Sequence, residues 1–116
     1  MSKSYFEKVY AVTRCIPFGR VTNYGAVADF LALGSARMVG WALNKSKHLE
    51  IPAHRVVNRK GELSGRNMFP APFLMQQLLE NEGVRIENNR VLEFDRLFWH
   101  PGWDLKQEDF EQITVD

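Results

Sequence analysis

The sequence predicts a small, mainly α-helical domain built on a helix-turn-helix, winged-helix-like in plan, with a minor β-hairpin toward its end. Three observations predict it. Apolar residues recur at helical spacing behind capping residues in the N-terminal third. Two of those helical stretches are short and parted only by Gly34-Ser35. Farther on, β-prone residues flank Glu87-Asn88-Asn89-Arg90, a turn-forming group.

The elements follow in order. Ser4-Tyr5-Phe6-Glu7 is a capping box, with Ser4 at the N-cap and Glu7 three residues on. Phe6, Val9, Tyr10 and Thr13 then share a face, so a first helix is expected to about Cys15. Pro17-Phe18-Gly19 is a turn. Thr22 or Asn23 caps a second helix carrying Ala26, Val27, Phe30 and Leu31 on one side. Gly34 is expected to stop it in the left-handed conformation. Ser35 caps a third helix from Ala36 to about Leu43. Pro52 forbids a regular helical start to Ile51–Asn58, and Asn58 to Gly61 is turn-like. Phe73 to Glu82 reads as a fourth helix ended by Gly83. Val84-Arg85-Ile86 and Val91-Leu92-Glu93-Phe94 form the hairpin, and Leu97 to Pro101 packs an aromatic segment onto the core. The last dozen residues are acidic and expected to be loose.

The 116 residues fit one domain, 1–116, and 45% hydrophobic content suffices for a core. No apolar run reaches the ~18 residues of a membrane span. The N-terminus lacks the apolar stretch of a secretory signal. One cysteine, Cys15, cannot make an internal disulfide, which suits a reducing cytoplasm. The three histidines and Cys15 show no metal-ligand spacing, so neither metal nor cofactor is expected. Net charge is only +1, but it is unevenly placed. Residues 35–67 carry seven Lys and Arg against two acids, whereas residues 80–116 carry ten acids against four bases. A basic middle suits a surface offered to a polyanion.

Several motifs occur in one order and spacing: Ile16-Pro17-x-Gly19-x-Val21-x-x-Tyr24, Ala36-Arg37-x-Val39-Gly40-x-Ala42, Asn44, Ile51-Pro52-x-His54-Arg55-Val56-Val57, and Glu82-Gly83. Across roughly residues 4–92 the chain thereby resembles the C-terminal, DNA-binding domain of O6-alkylguanine-DNA alkyltransferases. That family's catalytic signature is Pro-Cys-His-Arg, and here Ala53 stands at the cysteine position. Transfer of an alkyl group from guanine O6 needs a thiolate, and a methyl side chain has no lone pair. The chain thus looks like the alkyltransferase-like branch, which binds alkylated guanine without repairing it. The chain length fits that branch, which lacks the family's additional N-terminal domain.

The resemblance implies the following roles. Arg37 is a finger that enters the base stack in place of a flipped nucleotide. Ala36 and Gly40 keep the third helix slim enough to approach DNA through the minor groove. Tyr24 borders the pocket and crowds the 3′ phosphate. Arg66, in Ser64-Gly65-Arg66-Asn67, covers the extruded base. Met68, Phe69 and Phe73 line the pocket or belong to the core. Asn44, His54 and Glu82 match the relay that would deprotonate a thiol; lacking one, they are read with Arg55 as the hydrogen-bonded frame of the Pro52-Ala53-His54-Arg55 turn. The implied partners are duplex DNA containing O6-alkylguanine and nucleotide excision repair proteins, with the chain a monomer. Two other readings remain open from the residues: a general helix-turn-helix DNA binder, and an alkyltransferase acting through Cys15, which otherwise serves as a small hydrophobe.

Overall fold

The computed structural model describes residues 3–105; the expected loose acidic tail lies almost wholly outside them. Helix α1 runs Lys3–Cys15, α2 Tyr24–Phe30 and α3 Ala36–Asn44. Helix α4 spans Leu74–Glu80, and the short α5 and α6 span Phe94–Leu97 and Pro101–Asp104. Strands β1 (Thr22–Asn23) and β2 (Val56–Val57) pair in parallel, with Thr22 opposite Val56. Strands β3 (Ile86–Glu87) and β4 (Arg90–Val91) form an antiparallel hairpin. A mainly helical molecule with a helix-turn-helix and a small hairpin is what the sequence predicts.

The polypeptide encloses two apolar cores. The first joins Val9, Val12 and Ile16 of the α1 region to Val27, Val39, Leu43, Val56 and Trp99. The second joins Val21, Val57, Leu63, Met75, Leu79, Val84, Val91 and Leu97. Strand β2 lies between them. Successive strand residues point to opposite sides, so Val56 enters one core and Val57 the other. Residues 97–99 flank the same layer: Val21 donates its N–H to Leu97 O and accepts from Trp99 N at 2.7 Å. The Arg20 guanidinium adds bonds to the Leu97 and Phe98 carbonyls. This latch holds Trp99 at 3% exposure, so the aromatic segment does pack back onto the core.

Several boundaries differ from expectation, each for a local reason. Helix α1 already includes Lys3, so Ser4 is inside the helix and not its cap. Asn23, not Thr22, caps α2: its Oδ1 accepts Ala26 N–H at 2.7 Å, while Thr22 is committed to the β1–β2 pair. The left-handed residue that ends α2 is Ala32 (φ 57°) and not Gly34. Leu33 N–H reaches Ala28 O at 2.9 Å and Ala32 N–H reaches Asp29 O at 3.2 Å, the paired bonds of a Schellman ending. Ser35 stands at the N-cap of α3 but makes no side-chain cap bond. Helix α4 is shorter at both ends than Phe73–Glu82; a turn carries the chain to Gly83, at φ 87°. The hairpin loop is only Asn88-Asn89, with φ of 53° and 59°, so Glu87 and Arg90 join the ladder. Two left-handed residues match the right-handed twist of the strands. Phe94 leaves the strand to open α5, because Glu93 turns left-handed at φ 57°.

Ala32 bears a Cβ where glycine would be unstrained. Ala32→Gly is expected to stabilise the fold by about 0.5–1 kcal/mol. A denaturant midpoint that fails to rise would count against strain at this ending.

Candidate nucleic-acid interface

Ile51-Pro52 brings the chain into a tight 3-10 turn, Ala53–Arg55, before β2 begins. The turn closes with Ala53 N–H on Ile51 O at 2.8 Å and Arg55 N–H on Pro52 O at 3.0 Å. Its two polar side chains point to one acceptor. His54 Nε2 lies 2.7 Å from Glu82 Oε2, and Arg55 reaches the same carboxylate through Nε and Nη2 at 2.8–3.0 Å. Gly19 N–H donates to Glu82 Oε1 at 2.7 Å. Gly19 is left-handed (φ 82°), which aims its amide there. Arg55 Nη1 also donates to Ile16 O at 2.7 Å, and the guanidinium lies 5.8 Å from the Phe18 ring centre. The Glu82 side chain is only 6% exposed, yet every bond it needs is present.

The charges follow from this geometry. Burial pushes the Glu82 carboxyl up, but the bonds from Arg55, Gly19 and His54 outweigh it and hold the group below its ordinary range. Burial lowers His54 despite the carboxylate beside it, so the imidazole is neutral at pH 7. An ionised Glu82 only accepts, so the neutral ring carries its proton on Nε2.

Ala53 lines a cavity of about 420 Å³, within the range of small-molecule sites. Leu43 and Ser46 at the end of α3, Ile51, Met68 and Phe69 are among its walls. Ser46 is a wall residue that the sequence did not reveal; it is buried and bonded to Leu43 O at 2.7 Å. Phe73 is not among the lining residues and is largely exposed. A second cleft, of about 560 Å³, lies beside the start of α3 between Tyr24, Ala36, Asn58, Arg59 and Lys60. Tyr24 therefore borders this cleft and not the Ala53 cavity. Burial raises its phenol, with the Ser64 hydroxyl pulling the other way. A Cβ on Gly65 would stand 2.7 Å from the Tyr24 hydroxyl, so a side chain there would push the Tyr24 hydroxyl aside.

Three further site residues differ in setting. Arg37, the second residue of α3, is exposed and has no ion pair among the described residues. Arg66 is half-buried in its own turn, where Nη1 bonds Leu63 O at 3.0 Å; it precedes the cavity wall Asn67–Pro70 without lining it. Asn44 is a correction. It ends α3 with its side chain exposed and makes no hydrogen bond to the Pro52–Arg55 turn. The Gly19 amide and Ile16 carbonyl complete the frame instead, because α3 turns its buried side, and not Asn44, toward that region. Sequence reasoning missed both groups, since backbone atoms have no residue signature. Among the described residues Lys8, Arg14, Arg37, Lys45, Lys47, Arg59 and Lys60 are exposed and in no ion pair, whereas Arg85, Arg90 and Arg96 are bound to Glu93 or Glu62. Five of these seven cations lie on or just after α3 or in the loop after β2, and the other two on α1. Among the described residues no group of His, Cys, Asp or Glu could hold a metal ion, and no helix is long and apolar enough to cross a membrane.

Fold and site together define a helix-turn-helix protein with an apolar cavity at the end of its second motif helix. The chain belongs to the family of the 6-O-methylguanine DNA methyltransferase DNA-binding domain, whose model matches residues 4–84. It is similar to alkyltransferase-like protein 1 of Schizosaccharomyces pombe, 36% identical over 95 residues, covering 78% of this chain and 85% of that protein. It is also similar to the DNA base-flipping protein of Escherichia coli K12, 34% identical over 101 residues, covering 84% and 75%. Matches over shorter stretches include methylated-DNA–protein-cysteine methyltransferases. Among solved structures, S. pombe Atl1 in complex with damaged DNA containing O6-carboxymethylguanine superposes with a TM-score of 0.75. That pair is 31% identical, and the match covers 87% of this chain and 98% of the other.

The brace makes two stability predictions. Glu82→Ala strands the buried Arg55 guanidinium, and its denaturant midpoint is expected to fall by an amount worth about 3–5 kcal/mol. Both His54 and Glu82 have folded pKa values below their ordinary 6.5 and 4.5. Each therefore contributes stability above its unfolded pKa that is lost as pH falls through the folded one. Unfolding measured from pH 7 downward should show a first loss below about 6.5, absent in His54→Gln, and a second below about 4.5.

Proposed function

We propose that this chain is a non-catalytic sensor of O6-alkylguanine in duplex DNA. It approaches through the minor groove, turns the modified nucleotide out of the stack, and holds it in the cavity beside Ala53. One observation carries the reading: the residue on the cavity wall that follows Ile51-Pro52 and precedes His54-Arg55 is an alanine. Dealkylation requires a sulfur that ends the reaction bearing the alkyl group, and a methyl has no electrons to offer. His54 next to it donates its Nε2 proton to Glu82, and with no thiol at position 53 to deprotonate the pair serves as a brace.

The α3 face supports the binding half of the proposal. Arg37 has no partner within the described residues, and flipping a nucleotide, at a few kcal/mol, leaves a gap that a long cation can fill. A Cβ on Gly40 would meet nothing within 4 Å, so packing inside this chain does not demand glycine there. A slim helix surface that admits a DNA backbone does. Ala36 and Tyr24 border the cleft where the strand 3′ to the lesion would run, with Arg59 and Lys60 opposite. Arg66 would close over the extruded base by leaving the Leu63 carbonyl. The small Ala53 side chain leaves room for alkyl groups larger than methyl. A complex that holds the lesion without converting it would mark the site for nucleotide excision repair. The monomeric state and cytoplasmic setting belong to the same reading. Cys15, at the end of α1, is not among the residues lining the cavity, which disfavours it as a displaced nucleophile.

A duplex with one O6-methylguanine is expected to bind more tightly than its unmodified twin, and equal affinities would refute the sensor. Intact mass after that titration should be unchanged; a gain of one alkyl group would instead make the protein an enzyme. Arg37→Ala should weaken lesion binding by about 1–3 kcal/mol in the same assay. The net charge of +5 over residues 35–67 implies about 3–5 phosphate contacts, hence a log–log salt slope near −3 to −5.

A further inference from the structure

Helix α3 carries a residue whose placement the lesion pocket does not explain. Trp41 is 55% exposed, on a helix whose other fully exposed residues are small or polar: Ala36, Arg37 and Asn44. A lone exposed apolar side chain is ordinary and proves nothing. Its address is the informative part. Trp41 lies one turn beyond Arg37, about 40° around the helix axis. Leu43, on the cavity wall, lies about 160° away from Trp41 and on the other flank of Arg37.

The helix cannot rotate to hide the indole. Val39, Ala42 and Leu43 are buried on its inner side. Tyr5 and Tyr10 of α1 donate hydroxyl bonds to the Met38 and Ala42 carbonyls at 3.1 and 2.8 Å. Rolling α3 toward α1 would break both bonds and lift Leu43 from the core. The indole is therefore presented outward, on the face that holds Arg37.

We propose that Trp41 is a second DNA-contacting residue, an aromatic platform that packs on deoxyribose and base edges in the minor groove beside the Arg37 finger. The proposal rests on the DNA-binding part of the function proposed above. Three features select nucleic acid as the occupant. Helix α3 has no acid, and the exposed Lys45 and Lys47 follow it without ion pairs, so the face complements a polyanion. Gly40, next to Trp41, leaves open space where a side chain would hold a duplex away. The indole combines a flat apolar face with an N–H donor, and the minor-groove floor is lined with acceptors. Proteins of that groove use apolar wedges in this manner. Because Trp41 stands on the flank away from the cavity, it touches the duplex and not the extruded base. Its contribution is consequently the same for damaged and undamaged DNA.

The test is paired titration of unmodified and O6-methylguanine duplexes with Trp41→Ala and Trp41→Phe. Trp41→Ala should weaken both by a similar factor, about tenfold, leaving the lesion preference intact, and Trp41→Phe should retain most of the affinity. In Trp103→Phe protein the remaining indoles are Trp41 and the buried Trp99, and unmodified duplex should quench the emission. Wild-type affinity of Trp41→Ala for both duplexes, a loss confined to the lesion duplex, or unquenched emission overturns the proposal. If Trp41→Ala is weakened on both while the wild type shows no lesion preference, the sensor reading fails and the Trp41 contact stands.

Discussion

The buried carboxylate of Glu82 is the interaction on which the rest of the site depends. It accepts from a backbone amide after α1, from both polar side chains of the Ala53 turn, and itself follows α4. Three segments distant in sequence thereby share one anion. Such a group is tolerated at 6% exposure only because the Arg55 cation and three kinds of donor compensate its lost hydration. Removing any one partner leaves another stranded. The position of Ala53 is thus set from behind, by a network that never enters the cavity.

The cavity and the cationic surface stand on opposite sides of that brace in chemical character. Behind the turn, donors and acceptors are matched and charge is cancelled. In front, the cavity walls are mostly apolar, and the cations around α3 have no ion-pair partners among the described residues. The hairpin and α5 consume their own arginines in pairs with Glu93 and Glu62. Glu93 is held at a pKa of about 2 by Arg96 and Arg85, so it stays charged across any physiological pH. A modest net charge of +1 therefore conceals a strongly one-sided surface. This division suits a protein that must grip a polyanion while keeping a reading pocket dry.

The helices were legible in the sequence because their determinants are local. The α1 periodicity, the Asn23 cap and the start of α3 after Ser35 all involve residues within four positions of one another. The sequence points to Gly34 for the end of α2, because glycine is the residue that usually takes the left-handed conformation. Here Leu33 must reach Ala28, so the ending falls at Ala32. Strands β1 and β2 had no readable signal. Two residues carry no periodicity, and their pairing joins positions 22 and 56. The resemblance groups Asn44 with His54 and Glu82, and order in sequence does not specify direction on a helix.

By itself the sequence determined the chemistry available: an alanine before His54-Arg55, an arginine at the start of a slim helix, and a basic middle segment. These are properties of residue identity and near-neighbour spacing, which folding does not alter. Tertiary structure alone decided which groups meet. The Gly19 amide reaches Glu82 across 63 positions and Arg55 reaches it across 27. Trp41 faces outward because Val39, Ala42 and Leu43 are buried on the inner side of its helix and α1 bonds the Met38 and Ala42 carbonyls. Such outcomes depend on packing two cores around one thin strand pair, a three-dimensional constraint with no counterpart in local residue patterns.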